Sequence, residues 1–257
     1  MGTWNTLHLF NAKRFYKDIT PTLRGEKGCL NNDYIDFLSS YRIGGISKLT
    51  SNELKKTTDI SISKIVEISN QFDLSFKHHK LYNNIDSYDE QRSYLNDNQY
   101  YYEFNAFFEY YVFKYCSDFN PHIYTGKRGL NSVLDPKNKT IGNEILNNLE
   151  DFNTLFSADL TGIGNWIDVE DTNLLFNCKE DLFSNEPYNK DDYVYFEKFL
   201  RFFEVASSNE LGLIRGIDLR QDVLERLPKH KLIAENYLNT FEGNFSEHFT
   251  SITKTKK

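Results

Sequence analysis

The stretch YYYEFNAFFEYYVFKYC, from Tyr100 to Cys116, constrains the fold of this chain more than any other. Ten of its seventeen residues are Phe or Tyr. Phe104, Phe107, Phe108, Tyr111 and Tyr115 fall on one helical stripe, and Tyr102, Ala106, Tyr110 and Phe113 fill much of the remaining circumference. Glu103, Asn105, Glu109 and Lys114 are the interruptions. A helix that is apolar nearly all round belongs in the middle of a fold, wrapped by other elements. Tyrosine suits that position, because its ring can be buried while its hydroxyl reaches a partner. A base-stacking platform would interleave its aromatics with Lys and Arg, and this segment has a single Lys.

The rest of the chain also carries mostly helical spacing. Residues 7–19 and 31–43 show it, with Tyr34, Phe37, Leu38 and Tyr41 at i, i+3, i+4 and i+7 before the Gly44-Gly45 stop. One helix is expected over 52–74, although the Ile/Ser alternation at 60–63 also allows a short strand. A second aromatic helix, 191–207, carries Phe196, Phe199, Leu200 and Phe203 and could pack on the first. Helices over 217–227 and 230–241 are separated by Pro228. The Gly-, Pro- and Asn-rich connection 121–139 is the candidate subdomain boundary within a single helical domain spanning 1–257. Residues 158–184 lack a helical period and read as loops with a short hairpin. The expected fold is therefore mainly α, a multihelical globular bundle with a small irregular or β-containing insert near 158–184.

Charge narrows the function classes. The 257 residues carry a net charge of −7, which counts against a nucleic-acid partner, since such binders neutralise phosphates with Lys and Arg. The acidity is concentrated between Glu144 and Asp192, where twelve carboxylates face only Lys179 and Lys190. A surface of one sign steers partners of the other. No apolar run approaches the ~18 residues that suggest a membrane span, and MGTWNTLHLF lacks the basic and apolar regions of a secretory leader. Gly2 and Thr6 approximate a myristoylation pattern without the adjacent basic residues of a second membrane signal. Cys29, Cys116 and Cys178 are scattered and odd in number, which fits reduced thiols in a cytoplasmic protein, with Cys116 packed in the core.

Catalytic templates are absent. The segment TGKRG at 125–129 lacks the upstream Gly and the Ser/Thr of a phosphate-cradling loop, and neither GxGxxG nor GxSxG occurs. The six His residues show no spacing that would place two metal ligands on one helix face. DVEDTN at 168–173 resembles the start of a calcium loop but lacks its Gly at position 6 and Glu at position 12. No cofactor or metal is expected. Paired carboxylates can do acid/base work in any fold, so a hydrolase or nuclease-like enzyme with an unrecognised carboxylate site stays open, as does an oligomeric scaffold.

The opening MGTWNTLHLFNAKRFYKDI, through Gly2, Thr3, Trp4, Asn5 and Phe10, resembles the start of immunity-type proteins of bacterial polymorphic toxin systems. The resemblance implies a cytoplasmic protein that binds one toxin and occludes its active surface without catalysis of its own. The acidic segment fits that role. A basic toxin would be steered by Asp168, Glu170, Asp171, Glu180, Asp181 and Glu186, while Trp166 and Tyr188 would supply aromatic anchors.

Overall fold

In the computed structural model the described residues are 5–41, 50–71, 93, 100–124, 141–150, 161–179 and 190–234. They build a mixed α/β fold around a four-stranded antiparallel sheet, which replaces the expected helical bundle. Strand β1 (Asn5–Phe10) leads into α1 (Ala12–Arg14), a π-helical turn (Phe15–Ile19) and α2 (Thr20–Leu23). Next come α3 (Asn31–Ser40), α4 (Ser51–Gln71), α5 (Tyr101–Tyr115), β2 (Ser117–Tyr124) and α6 (Ile141–Glu150). Strand β3 (Gly162–Ile167), α7 (Val169–Asn177), α8 (Lys190–Ser208), β4 (Gly212–Ile217) and α9 (Gln221–Leu224) complete the order. The strands lie in the order β2-β1-β4-β3.

Helices cover both faces of the sheet, and the register sorts the side chains between two cores. Leu7 opposite Arg215 and Leu9 opposite Leu213 point to one face, whereas His8 opposite Ile214 and Phe10 opposite Gly212 point to the other. On the His8 face, Phe10, Phe15, Ile163, Trp166 and Ile214 join Phe104, Phe108 and Phe113 of α5. On the Leu7 face, Leu9, Ile167 and Leu213 join Leu146 and Leu149 of α6, Leu175 of α7 and Phe199, Phe202 and Phe203 of α8. The two aromatic helices therefore lie on opposite faces of the sheet and do not share a core.

The expectation for the first aromatic helix holds. Ten of the fifteen residues of α5 are buried, between the sheet and the outer helices α3 and α4. Tyr34 and Phe37 of α3 pack on Phe107, with ring centroids 5.6 and 5.4 Å apart. The half-buried Lys114 ammonium then pins α5 to α3, 2.8 Å from Asp33 and 2.9 Å from Asp36. Helix α4 starts with a reciprocal cap. Glu53 accepts from the Thr50 backbone N–H at 2.9 Å, and its own N–H donates to Thr50 Oγ1 at 3.3 Å. The Ile/Ser alternation at 60–63 lies inside this helix. Cys116 is fully buried, and burial pushes its thiol up to about 12.

Several expected helices are strands or much shorter helices. The 7–19 segment splits at Phe10 into β1 and the first helical run, and 217–227 keeps helix only over Gln221–Leu224. The 121–139 connection begins inside β2, with 125–139 outside the described residues. Of the expected helix 230–241, residues 230–234 are not helical and the remainder lies outside the described residues. The 158–184 segment supplies β3 and then a helix, α7, and its strand is an integral sheet edge. Gly212 is required there, because a Cβ at that position would run into the Ile167 backbone carbonyl.

Candidate functional site

Of the acidic residues singled out in the sequence, Asp168, Glu170 and Asp171 lie at the junction between β3 and α7. Asp168 is the N-cap of α7, with its Oδ1 accepting from the Asp171 backbone N–H at 3.0 Å. The carboxylates of Glu170 and Asp171 in the first turn suit the positive end of the helix. The two differ in exposure, for Glu170 is open to solvent and Asp171 is buried. Trp166 is 1% exposed. Its ring packs against Phe15 and Phe108, and its Nε1–H donates to the Tyr16 hydroxyl at 3.0 Å. Trp166 and Asp171 therefore belong to the interior and offer no contact surface. Glu180, Asp181, Glu186 and Tyr188 lie outside the described residues.

An exposed apolar side chain missed in the sequence sits on the same helix. Leu174, one turn after Glu170, is 37% exposed, and Asn177 continues that outer face. The opposite side of α7 is committed to the fold through Leu175 in the core and Asn173, whose Oδ1 accepts from Ser207 at 2.7 Å. The periodicity of LLF at 174–176 held the clue, since only one of two adjacent leucines can face inward on a helix.

The opposite end of the sheet carries a cleft of about 300 Å³. Thr6, Phe119, Tyr124, Asp218, Leu219 and Gln221 line it, drawn from β1, β2 and the turn after β4. Among the described residues Asp218 is its one lining carboxylate, and it holds a left-handed backbone with φ 45°. Below it, His8 is fully buried beside His122, with ring centroids 5.3 Å apart. A ring nitrogen facing a carbonyl must carry a proton, so His8 Nδ1–H donates to Phe119 O at 2.8 Å. Burial holds His8 well below its ordinary range, and His122 nearby pushes the same way, so the ring is neutral. Its Nε2 consequently accepts from the Thr6 hydroxyl at 2.8 Å.

A second buried titratable group lies behind the same turn. Glu109 of α5 is 5% exposed, and its Oε1 accepts from the Arg220 backbone N–H at 3.1 Å. Burial pushes its carboxyl up to about 7, opposed by Tyr41, by the Arg220 N–H and by the Arg220 charge. The Tyr41 hydroxyl lies beside this carboxyl without a well-aligned hydrogen bond. The Arg220 guanidinium donates to the Tyr41 backbone carbonyl, stacks 4.9 Å over the Tyr41 ring and lies 3.6 Å from Asp222. Neither His8 nor Glu109 lines the cleft, so the cleft brings no pair of acid/base groups from the described residues to a ligand. Among the described residues no three His, Cys, Asp or Glu side chains are placed to hold a metal ion, and no helix is long and apolar enough to cross a membrane. No family model, curated protein or solved structure matches this chain.

Proposed function

We propose that this chain is a cytoplasmic binding protein that neutralises a cognate basic toxin by covering its active surface. The observation that carries the reading is the outer face of α7. There an exposed Leu174 sits one turn from the exposed Glu170, within a segment whose twelve carboxylates face only two lysines. An exposed apolar side chain beside an exposed carboxylate suits a steered protein interface, and the Lys179 ammonium, 4.3 Å over the Phe176 ring, marks the end of that face. The MGTWN start supports the same reading through its resemblance to immunity-type proteins. Asp168 and Asp171 contribute to the field of this surface while holding the helix start together. The contact is therefore assigned to Glu170 and Leu174.

The test is a double variant, Glu170→Lys with Leu174→Asp, which leaves the Asp168 cap intact. Tagged native and variant proteins are incubated with lysate of the source organism at moderate salt, and bound proteins are identified by mass spectrometry. Native protein is expected to retain one basic protein stoichiometrically, and the variant to lose it. Equal retention by both proteins removes α7 from the interface.

A further inference from the structure

The turn that joins β4 to α9 is short and lies near the surface, yet one of its backbone groups is fastened to the interior. Leu219 and Arg220 are partly buried, and Gln221 and Asp222 are exposed. The Arg220 N–H donates to Glu109 Oε1 at 3.1 Å, so a carboxyl of α5, and not a strand or helix carbonyl, satisfies it. Arg220 is also the N-cap of α9, its carbonyl accepting from the Val223 and Leu224 N–H groups at 3.0 Å each. Its guanidinium is committed to the Tyr41 carbonyl, the Tyr41 ring and Asp222. Glu109 is therefore a buried carboxyl that holds the turn through a backbone bond and not through an ion pair.

Burying a carboxylate without an ion pair is costly, and the acid form removes that charge. The acid form still offers Oε1 to the Arg220 N–H, and its proton has the buried Tyr41 hydroxyl beside it. Other charged groups on the elements around α5 are engaged elsewhere. Asp33 and Asp36 of α3 pair with Lys114, Lys64 of α4 pairs with Glu67, and Asp18 of the π-helical turn pairs with Lys27. His8 of β1 and His122 of β2 donate to Phe119 O, and Asp118 of β2 accepts from the His230 N–H. Among the described residues Tyr41 and Arg220, with Asp222 behind Arg220, are the titratable and charged groups that face Glu109.

We propose that Glu109 is a proton-operated latch for this turn: its acid form holds Leu219–Gln221 closed against α5 and α3, and its carboxylate form releases them. Release carries the Arg220 N–H away from Oε1 and lets water hydrate the carboxylate, the proton passing to solvent. It also lifts the guanidinium from Tyr41, the C-cap of α3, so the end of α3 is loosened with the turn. The closed turn keeps the proton up to about 7, whereas a hydrated Glu109 loses it near 4.5. Opening is therefore coupled to the loss of one proton between those values, and favoured as pH rises through them. The latch uses no residue of α7 and stands apart from the binding surface there.

Hydrogen exchange of the full chain, followed amide by amide by NMR from about pH 5 to about pH 8, tests the proposal. Protection of the Arg220 amide, taken relative to an unstructured chain at the same pH, should fall about tenfold per pH unit up to about 7 and then level off. The Tyr41 amide, bonded to Phe37 O at 2.8 Å, should follow it. The Cys116 amide, bonded to Val112 O at 2.7 Å at the end of α5, reports opening of the whole fold and should stay better protected than both. Glu109→Gln keeps the acceptor and removes the proton, so protection at Arg220 should become independent of pH. Arg220→Gln keeps the backbone N–H and removes the guanidinium, so the amide at position 220 should retain its pH dependence. The proposal is overturned if Arg220 protection in native protein does not change with pH, or if Glu109→Gln keeps the native pH dependence. Equal protection of Arg220 and Cys116 at every pH also overturns it, because the event would then be global unfolding. So does loss of the pH dependence in Arg220→Gln, which would make the guanidinium the partner of Glu109.

Discussion

Replacing Glu109 by Gln should remove a pH-dependent penalty on folding. In the unfolded chain this carboxyl titrates near 4.5, and in the folded chain burial raises it to about 7. Below the lower value both states hold the proton and the penalty is absent. As pH rises between the two values, the unfolded chain releases its proton while the folded chain keeps it, so stability falls. Above about 7 the full penalty applies. At about 1.36 kcal/mol for each pH unit of displacement, it amounts to about 3 kcal/mol. The amide introduced by Glu109→Gln would still accept from the Arg220 N–H and would carry no titrating proton. The stability of Glu109→Gln relative to native protein should therefore rise by about 3 kcal/mol between about pH 4.5 and about pH 8, then level off. Urea unfolding followed by circular dichroism across that range measures the difference, in which the His8 and His122 contributions cancel. A difference that does not change with pH refutes the reasoning. So does one that moves in favour of the native protein as pH rises, which would mean that Arg220, against Tyr41 and Asp222, holds Glu109 ionised.

Trp166→Ala should destabilise the fold by roughly 3–5 kcal/mol in urea melts, as a large core truncation does, and a change near zero would return Trp166 to the surface. Asp168→Ala should cost about 1 kcal/mol through loss of the α7 cap, read as a lower Tm. Asn105 is buried with neither amide atom hydrogen bonded among the described residues, so Asn105→Leu should stabilise by about 1 kcal/mol or more; a lower urea midpoint would contradict this. His8 is held neutral below its ordinary range of 6.5, so its share of stability is present above 6.5 and lost as pH falls toward its depressed value. His8→Asn should flatten that acid limb, and an unchanged limb would place the proton loss elsewhere.

The sequence carried the helices more clearly than the sheet, and the reason is where the strands lie. Every residue of β1, β3 and β4 is buried, because helices cover both faces. A strand buried on both sides loses its apolar/polar alternation and reads as a short apolar run, so LHLF merged into the helical pattern that follows it. Strand β2 contains Pro121, which demotes a strand in a sequence reading and is tolerated here on a sheet edge. The wraparound pattern of α5 survived because it marks burial regardless of what does the burying. At the candidate surface, the charge of Glu170 was legible and the exposure of Leu174 was not. Trp166 was misjudged because a bulge opposite Arg215 lies between Ile163 and Trp166 and returns both to the core face. The cleft had no local signature at all, since Thr6, Tyr124 and Asp218 meet only through strand pairing.

If the outer face of α7 binds a basic protein partner, the charge at Glu170 should set the rate of association. The most direct measurement is the stopped-flow association rate of the captured partner with native protein and with Glu170→Lys, at low and moderate salt. Native protein should associate faster at low salt, and the variant should lose much of that advantage while keeping its Tm. Identical rates for the two proteins at every salt concentration would contradict it.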